Sequence, residues 1–308
     1  MGKLRKFAPR AAVLLLLLCA ALSGRAYAAQ LLVPMGTAVG IQMNTDGVLV
    51  VDTMDVTLPD GTTAHPARDA GLRPGDIITA LDGKPTETAA DLAQTAAALG
   101  TEATDVTVQR GGETITLALT PVQNAEGTRL GLWLRDGVAG VGTMTYYDPQ
   151  TRRFGALGHA VTDSQTAAVL PLAGGSISPA RIVDVQPGLA GAPGALSGVF
   201  DMTAPIGSVE RNTLCGVFGT LESAAPLGEA IPVAAAGEVS AGPAYILSSV
   251  TAAGVERYTV EISRAAGAQM DLRVTDETLL ALTGGIVQGM SGSPIIQDGK
   301  LVGAVTHV

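Results

Sequence analysis

The chain is short of cysteine and histidine, with two of the one and three of the other in 308 residues. Cys19 falls in an N-terminal apolar stretch, so Cys215 stands alone in the remainder and an intramolecular disulfide framework is excluded. A lone thiol of this kind reads as a small buried apolar residue. No metal-ligand spacing occurs among the histidines, cysteines and carboxylates, so neither a metal nor another cofactor is expected. Tandem repeats and low-complexity tracts are missing too. The longest apolar run, from Ala11 to Leu22, is about a dozen residues, short of the roughly 20 that cross a bilayer as a helix.

That run is framed as an export signal. Lys3, Arg5, Lys6 and Arg10 precede it, and Ala26-Tyr27-Ala28 follows as a small-x-small cleavage site. Cleavage is favoured, with an uncleaved anchor as the alternative. Without the five basic residues of 1–28, the chain keeps 14 basic against 28 acidic residues, a formal charge of −14. Such acidity argues against nucleic acid and against anionic lipid surfaces as partners. An apolar content of 47% is enough for a sizeable core, and the length suggests about two domains.

The chemistry-bearing stretch is Gly289-Met290-Ser291-Gly292-Ser293-Pro294. A tight turn between glycines can bring the Ser291 hydroxyl and the backbone N–H groups of Gly289 and Ser291 around one carbonyl, as nucleophile and oxyanion hole. A Gly/Ser turn leading into a strand is the plainer alternative. A serine nucleophile needs a base, and three histidines are available. His65 reads as a surface-loop residue and His307 as a solvated or packed one. His159, in Phe154-Gly155-Ala156-Leu157-Gly158-His159-Ala160-Val161, sits at a glycine-lined bend with room for its imidazole, and is the candidate base.

Between about Leu31 and Val122 runs Pro66-Ala67-Arg68-Asp69-Ala70-Gly71-Leu72-Arg73-Pro74-Gly75-Asp76-Ile77-Ile78, followed by Leu81-Asp82-Gly83-Lys84. This resembles a PDZ domain, with Asp82-Gly83 as a hairpin turn, a helix from Ala89 to Leu99 and an alternating strand from Thr114 to Thr120. PDZ domains bind an extended peptide at a sheet edge, and Val39-Gly40-Ile41 is the candidate for the carboxylate-receiving loop, an ordinary strand start being the alternative. A polar linker, 123–136, leads to a second region, 137–308. There Tyr245 to Val250, a turn at Ala252-Ala253-Gly254 and Val255 to Ser263 form a hairpin with Tyr258, Val260 and Ile262 on one face, within an all-β barrel or sandwich.

Together the export signal, the PDZ unit, Phe154 to Val161, and the run from Thr283 to Ile296 ending in Gly303-Ala304-Val305-Thr306-His307-Val308 resemble the SpoIVB peptidase family. The resemblance implies a mainly β protein, a small α/β PDZ domain followed by a chymotrypsin-like all-β serine endopeptidase domain. It implies export to the space around the forespore, self-cleavage, and cleavage of a membrane-complex partner that releases processing of a late sporulation sigma factor. The family triad falls on His159, Asp276 and Ser291, the aspartate orienting the histidine. Asp201 and Asp163 are the alternatives for the acid, since Asp276 lies only fifteen residues before Ser291. Met290 stands where many digestive peptidases carry the aspartate that pairs with a new N-terminus, so that mode of activation is excluded. The family pattern continues past Thr306-His307-Val308, which implies a chain shortened at its C-terminus. A peptide-binding adaptor with a non-catalytic β domain is the rival reading. A quality-control protease is disfavoured, because its usual order is peptidase before PDZ.

Overall fold

Strand β1 (Leu31–Thr53) feeds two separate cores along its 23 residues. In the computed structural model, which describes residues 30–162, 167, 169–223 and 228–307, Val33, Val39, Ile41 and Met43 of β1 lie in one apolar cluster, and Val48 and Val50 in another. The segment 1–28, expected as an export signal, and Asp163 fall outside the described residues. Between the two halves of β1 the register shifts at Asn44 to Leu49, where Gly47 takes φ +117° and the Thr45 hydroxyl donates to Gly47 O. A bulge of this type turns a strand from one sheet surface to the next.

The second half of β1 opens the PDZ fold. It pairs with β2 (Ile77–Leu81), which pairs with β3 (Thr104–Arg110), which pairs with β4 (Glu113–Leu119), all antiparallel. Helix α1 (Ala89–Ala97) begins at a Thr88–Asp91 capping box and buries Leu92 and Ala96. The hairpin turn at Asp82-Gly83 is formed as expected, with φ +54° and +68°. Ile115, Leu117 and Leu119 face inward. Asp76, 1% exposed, accepts from Arg110 Nε and Nη2 at 2.7 Å each and from Arg73 N at 2.9 Å. The carboxylate's charge is thereby compensated inside the fold.

Strand β5 (Leu132–Tyr147) runs antiparallel to β1 over almost its whole length, from Thr53↔Leu132 to Val33↔Tyr147. Beyond the PDZ fold it enters a closed six-stranded barrel with β6 (Arg153–Ala156), β7 (Gly174–Gln186), β9 (Gly207–Thr213) and β10 (Gly216–Leu221). β8 (Ala195–Phe200) pairs on the far half of β7. The ladder closes in the order β1, β5, β6, β10, β9, β7 and back to β1. Closure removes the exposed edges, and Met144, Tyr147, Phe154, Ile177, Val209 and Val217 fill the interior.

A second sheet follows in the order β13, β12, β11, β14, β15, from β11 (Gly242–Thr251), β12 (Gly254–Ala266), β13 (Gln269–Val274), β14 (Pro294–Gln297) and β15 (Lys300–Ala304). Helix α2 (Glu277–Thr283) links β13 to the loop before β14. The β11–β12 hairpin places Tyr258, Val260 and Ile262 inward, as its alternation requires.

The PDZ fold is thus inserted between the first two barrel strands. The expected boundaries at 31–122, 123–136 and 137–308 need correction on two counts. Residues 31–44 belong to the barrel, and the expected linker is a hairpin of Val122–Asn124 with Gly127–Arg129 running straight into β5. Val39-Gly40-Ile41 is no carboxylate loop. These residues pair with Gly142, Val141 and Gly140 on one side and with Pro179, Ser178 and Ile177 on the other, so their backbone belongs to the barrel ladder. Cys215 also differs from expectation. It is exposed, at the turn between β9 and β10.

Candidate active site

Two segments meet at one cavity of about 510 Å³. The first is the bend after β6. Leu157 and Gly158 both adopt left-handed backbone (φ +68° and +71°), which swings His159 out of the strand direction. A Cβ on Gly158 would fall 3.0 Å from Thr306 Cγ2 and 3.1 Å from Val305 O, so the bend packs directly on the segment carrying His307. His159 Nδ1 lies 2.8 Å from Ala160 O. As Nδ1–H donates there, the lone pair of Nε2 is left free to take a proton.

The second segment follows α2, which ends at Gly284 in left-handed conformation. Val287 and Met290 plug the core of the second sheet, Met290 with no exposed surface. The turn between them sorts its donors. Gln288 N donates to Gly194 O, Met290 N to Val287 O, Gly292 N to Val305 O and Ser293 N to Met290 O. The N–H groups of Gly289 and Ser291 have no hydrogen-bond partner among the described residues. Gly289 (φ +95°) and Gly292 (φ +99°) permit this course. The Ser291 hydroxyl donates to Thr306 O at 3.0 Å.

Thr143 of β5, 2% exposed, joins the two segments. Its N–H donates to Ser291 O at 3.2 Å, its hydroxyl to Gly289 O at 2.8 Å, and its carbonyl accepts from Leu157 N at 3.1 Å. Asn212 pins the chain beyond His159, accepting from Val161 N at 2.9 Å and donating to Val161 O at 2.8 Å and Leu170 O at 3.0 Å. Neither residue carries a motif in the sequence. Only a barrel strand passing between the two segments exposes the role of Thr143.

The structure brings Ser291, Gly289, His159 and His307 to this cavity and leaves Asp276 outside it. Asp276 is the N-cap of α2: Oδ1 accepts from Thr278 N and Leu279 N at 3.1 Å each, and Oδ2 from Thr259 N at 3.2 Å. Burial works against its charge, but the N–H groups of Leu279, Thr259 and Thr278 prevail and hold the carboxyl below the ordinary aspartate range. Asp201 does not reach the cavity either. It closes a surface turn by accepting from the hydroxyl and N–H of Thr203, which lower its pKa. His307 is exposed, in keeping with the solvated role expected for it, and it also lines the cavity with its ring centroid 5.6 Å from that of His159. His65 lies on the surface as expected, 2.7 Å from Asp55 Oδ1.

A second concavity, of about 770 Å³, lies between α1 and the start of β5. Leu92, Ala93 and Ala96 of the helix face Leu130, Gly131, Leu132 and Leu134 across it. β1 takes one edge of β5 here, and Gly131, at φ +69°, carries the chain into the strand. Leu130-Gly131-Leu132, at the start of β5, stands at this groove, whereas Val39-Gly40-Ile41 does not. The sequence signal is the same, a glycine between two large apolar residues before a strand.

Comparison with protein families gives two matches. The model for SpoIVB peptidase S55 matches residues 126–308, and that for the PDZ domain matches residues 62–110. A search of curated proteins finds no match.

Proposed function

This chain belongs to the SpoIVB peptidase S55 family, serine peptidases that hydrolyse peptide bonds, and on that premise we propose that it acts in sporulation signalling by cutting itself and then a subunit of a membrane protein complex. The basic and apolar character of 1–28 supports export across the cytoplasmic membrane, toward the space around the forespore.

In the proposed reaction the Ser291 hydroxyl turns from Thr306 O toward the substrate carbonyl, and His159 Nε2 takes its proton. Ala160 O holds the imidazole in the required tautomer and accepts a stronger hydrogen bond once the ring is charged. The N–H groups of Gly289 and Ser291 receive the oxyanion. The imidazolium then returns the proton to the leaving amine, and water repeats the sequence on the acyl-enzyme. Asp276 acts at a distance, by starting the helix that delivers the nucleophile loop.

The observation that carries this reading is that the N–H groups of Gly289 and Ser291 have no partner among the described residues, in a turn where those of Gln288, Met290, Gly292 and Ser293 are bonded. Apolar residues of the α1–β5 groove support capture of a protein segment by the PDZ fold before cleavage. The test is purification of the chain with and without Ser291→Ala, reading mass and N-terminal sequence over time. Self-cleavage in the parent and none in the variant is expected. Equal cutting in both rejects the proposal.

A further inference from the structure

The identity of the residue accepted beside the scissile bond rests on the peptidase reading and follows from the cavity walls. We infer that the enzyme cleaves next to a bulky apolar residue, and that Gly140 sets how bulky that residue can be.

The cavity beside Ser291 is walled by Ile41 and Met43 of β1, Val138 and Val141 of β5, and Leu157 and Val161 around the histidine bend. Among the described residues lining it there is no Asp, Glu, Lys or Arg. A charged substrate side chain entering it loses its water and gains no counter-charge, whereas an aliphatic or aromatic one gains by burial. A volume of about 510 Å³ is within the range of pockets that enclose small ligands.

Gly140 keeps one wall of the cavity open. Along a strand alternate residues face the same way, so Val138, Gly140 and Gly142 share one face, on which Gly140 is solvent-exposed where it lines the cavity. Their register against Met43, Ile41 and Val39 is unbroken. The two glycines have different reasons to be there. A Cβ on Gly142 would fall 2.1 Å from Leu157 Cδ2, so packing demands its absence. A Cβ on Gly140 would meet nothing within 4 Å, and Gly140 is not among the residues with positive φ. Neither crowding nor conformation explains a glycine that weakens the strand. What it preserves is open volume beside the nucleophile.

The test uses the full chain in two aliquots, one treated with a fluorophosphonate to establish that Ser291 is reactive, the other left untreated and given a mixed peptide library with cleavage positions read by mass spectrometry. Cleavage beside Leu, Ile, Met or Phe is expected, with Asp, Glu, Lys and Arg disfavoured by at least about 100-fold, the scale on which a pocket rejects a mismatched group. Gly140→Val, with Gly140→Ala as the milder variant, should lower the ratio of kcat/KM for a Leu peptide to that for an Ala peptide by roughly 10-fold or more. That ratio does not depend on how much of the variant folds. Cleavage by the untreated enzyme beside charged residues as readily as apolar ones, in a preparation whose treated aliquot labels at Ser291, overturns the substrate class. A ratio unchanged in both variants overturns the role of Gly140. Folded enzyme that neither labels nor cleaves overturns the peptidase reading itself.

Discussion

The hydroxyl of Ser291 donates to the carbonyl of Thr306 at 3.0 Å, one residue before the second imidazole of the cavity, His307. Ser291 and His159 line one cavity, and in the proposed mechanism the bond between nucleophile and base is made on substrate entry. Two histidines compete for the role of base. Of these two, only His159 has a ring nitrogen bonded to an acceptor among the described residues. His159→Ala should lower kcat by about 10⁴ or more, the usual cost of losing the base. His307→Gln should cost less than about 10-fold, as expected of a cavity neighbour that takes no proton. Steady-state kinetics on a peptide that the parent chain cleaves separates the two.

Asp276 presents a choice between two physical roles. An acid that orients the base loses about 10⁴ in kcat when changed to asparagine. A helix cap tolerates asparagine well. The capping geometry therefore predicts that Asp276→Asn keeps kcat within several-fold, while Asp276→Ala lowers stability by about 1 kcal/mol. Urea denaturation together with kinetics of the two variants checks both halves.

The same carboxylate gives a pH dependence. Its folded-state pKa is depressed, so its contribution to stability is present above the ordinary aspartate value of about 4 and is lost as pH falls through the lower folded value. The stability gap between the parent and Asp276→Ala should be constant near neutrality and close below about pH 4. A gap that widens on acidification contradicts the cap.

Thr143→Val removes the hydroxyl that donates to Gly289 O and leaves the volume nearly unchanged. Loss of a buried hydrogen bond costs about 1–3 kcal/mol. Because this bond ties the nucleophile loop to β5, kcat should fall with KM little altered. A purely structural role would lower the melting temperature and leave kcat per folded molecule intact.

The PDZ fold depends on one buried ion pair. Arg110→Met leaves Asp76 buried without its partner and should destabilise the protein by about 3–5 kcal/mol. Ala93→Glu, on the exposed side of the groove, should abolish capture of apolar peptides while Ser291 stays reactive to a phosphonate. Isothermal titration with labelling alongside tests the separation of the two sites.

Much of this was legible in residues that act locally. The Asp82-Gly83 turn, the Thr88–Asp91 cap and the alternation from Ile115 to Leu119 depend on neighbours a few positions away, and the nucleophile loop announces itself by its two glycines. The acid was harder, because sequence spacing does not say where a carboxylate points. A capping signal was nonetheless present in Asp276 before Thr278-Leu279-Leu280, with Gly284 closing the helix. What could not be read is that one strand serves two cores. Both halves of β1 are rich in apolar residues, and only pairing with β7 distinguishes the barrel half from the PDZ half.

The most direct measurement is incubation of the folded chain with a fluorophosphonate followed by peptide mapping of the adduct. The account predicts a single adduct on Ser291, lost in Ser291→Ala and slowed by orders of magnitude in His159→Ala. A folded protein that carries no adduct, or carries it on another serine, contradicts it.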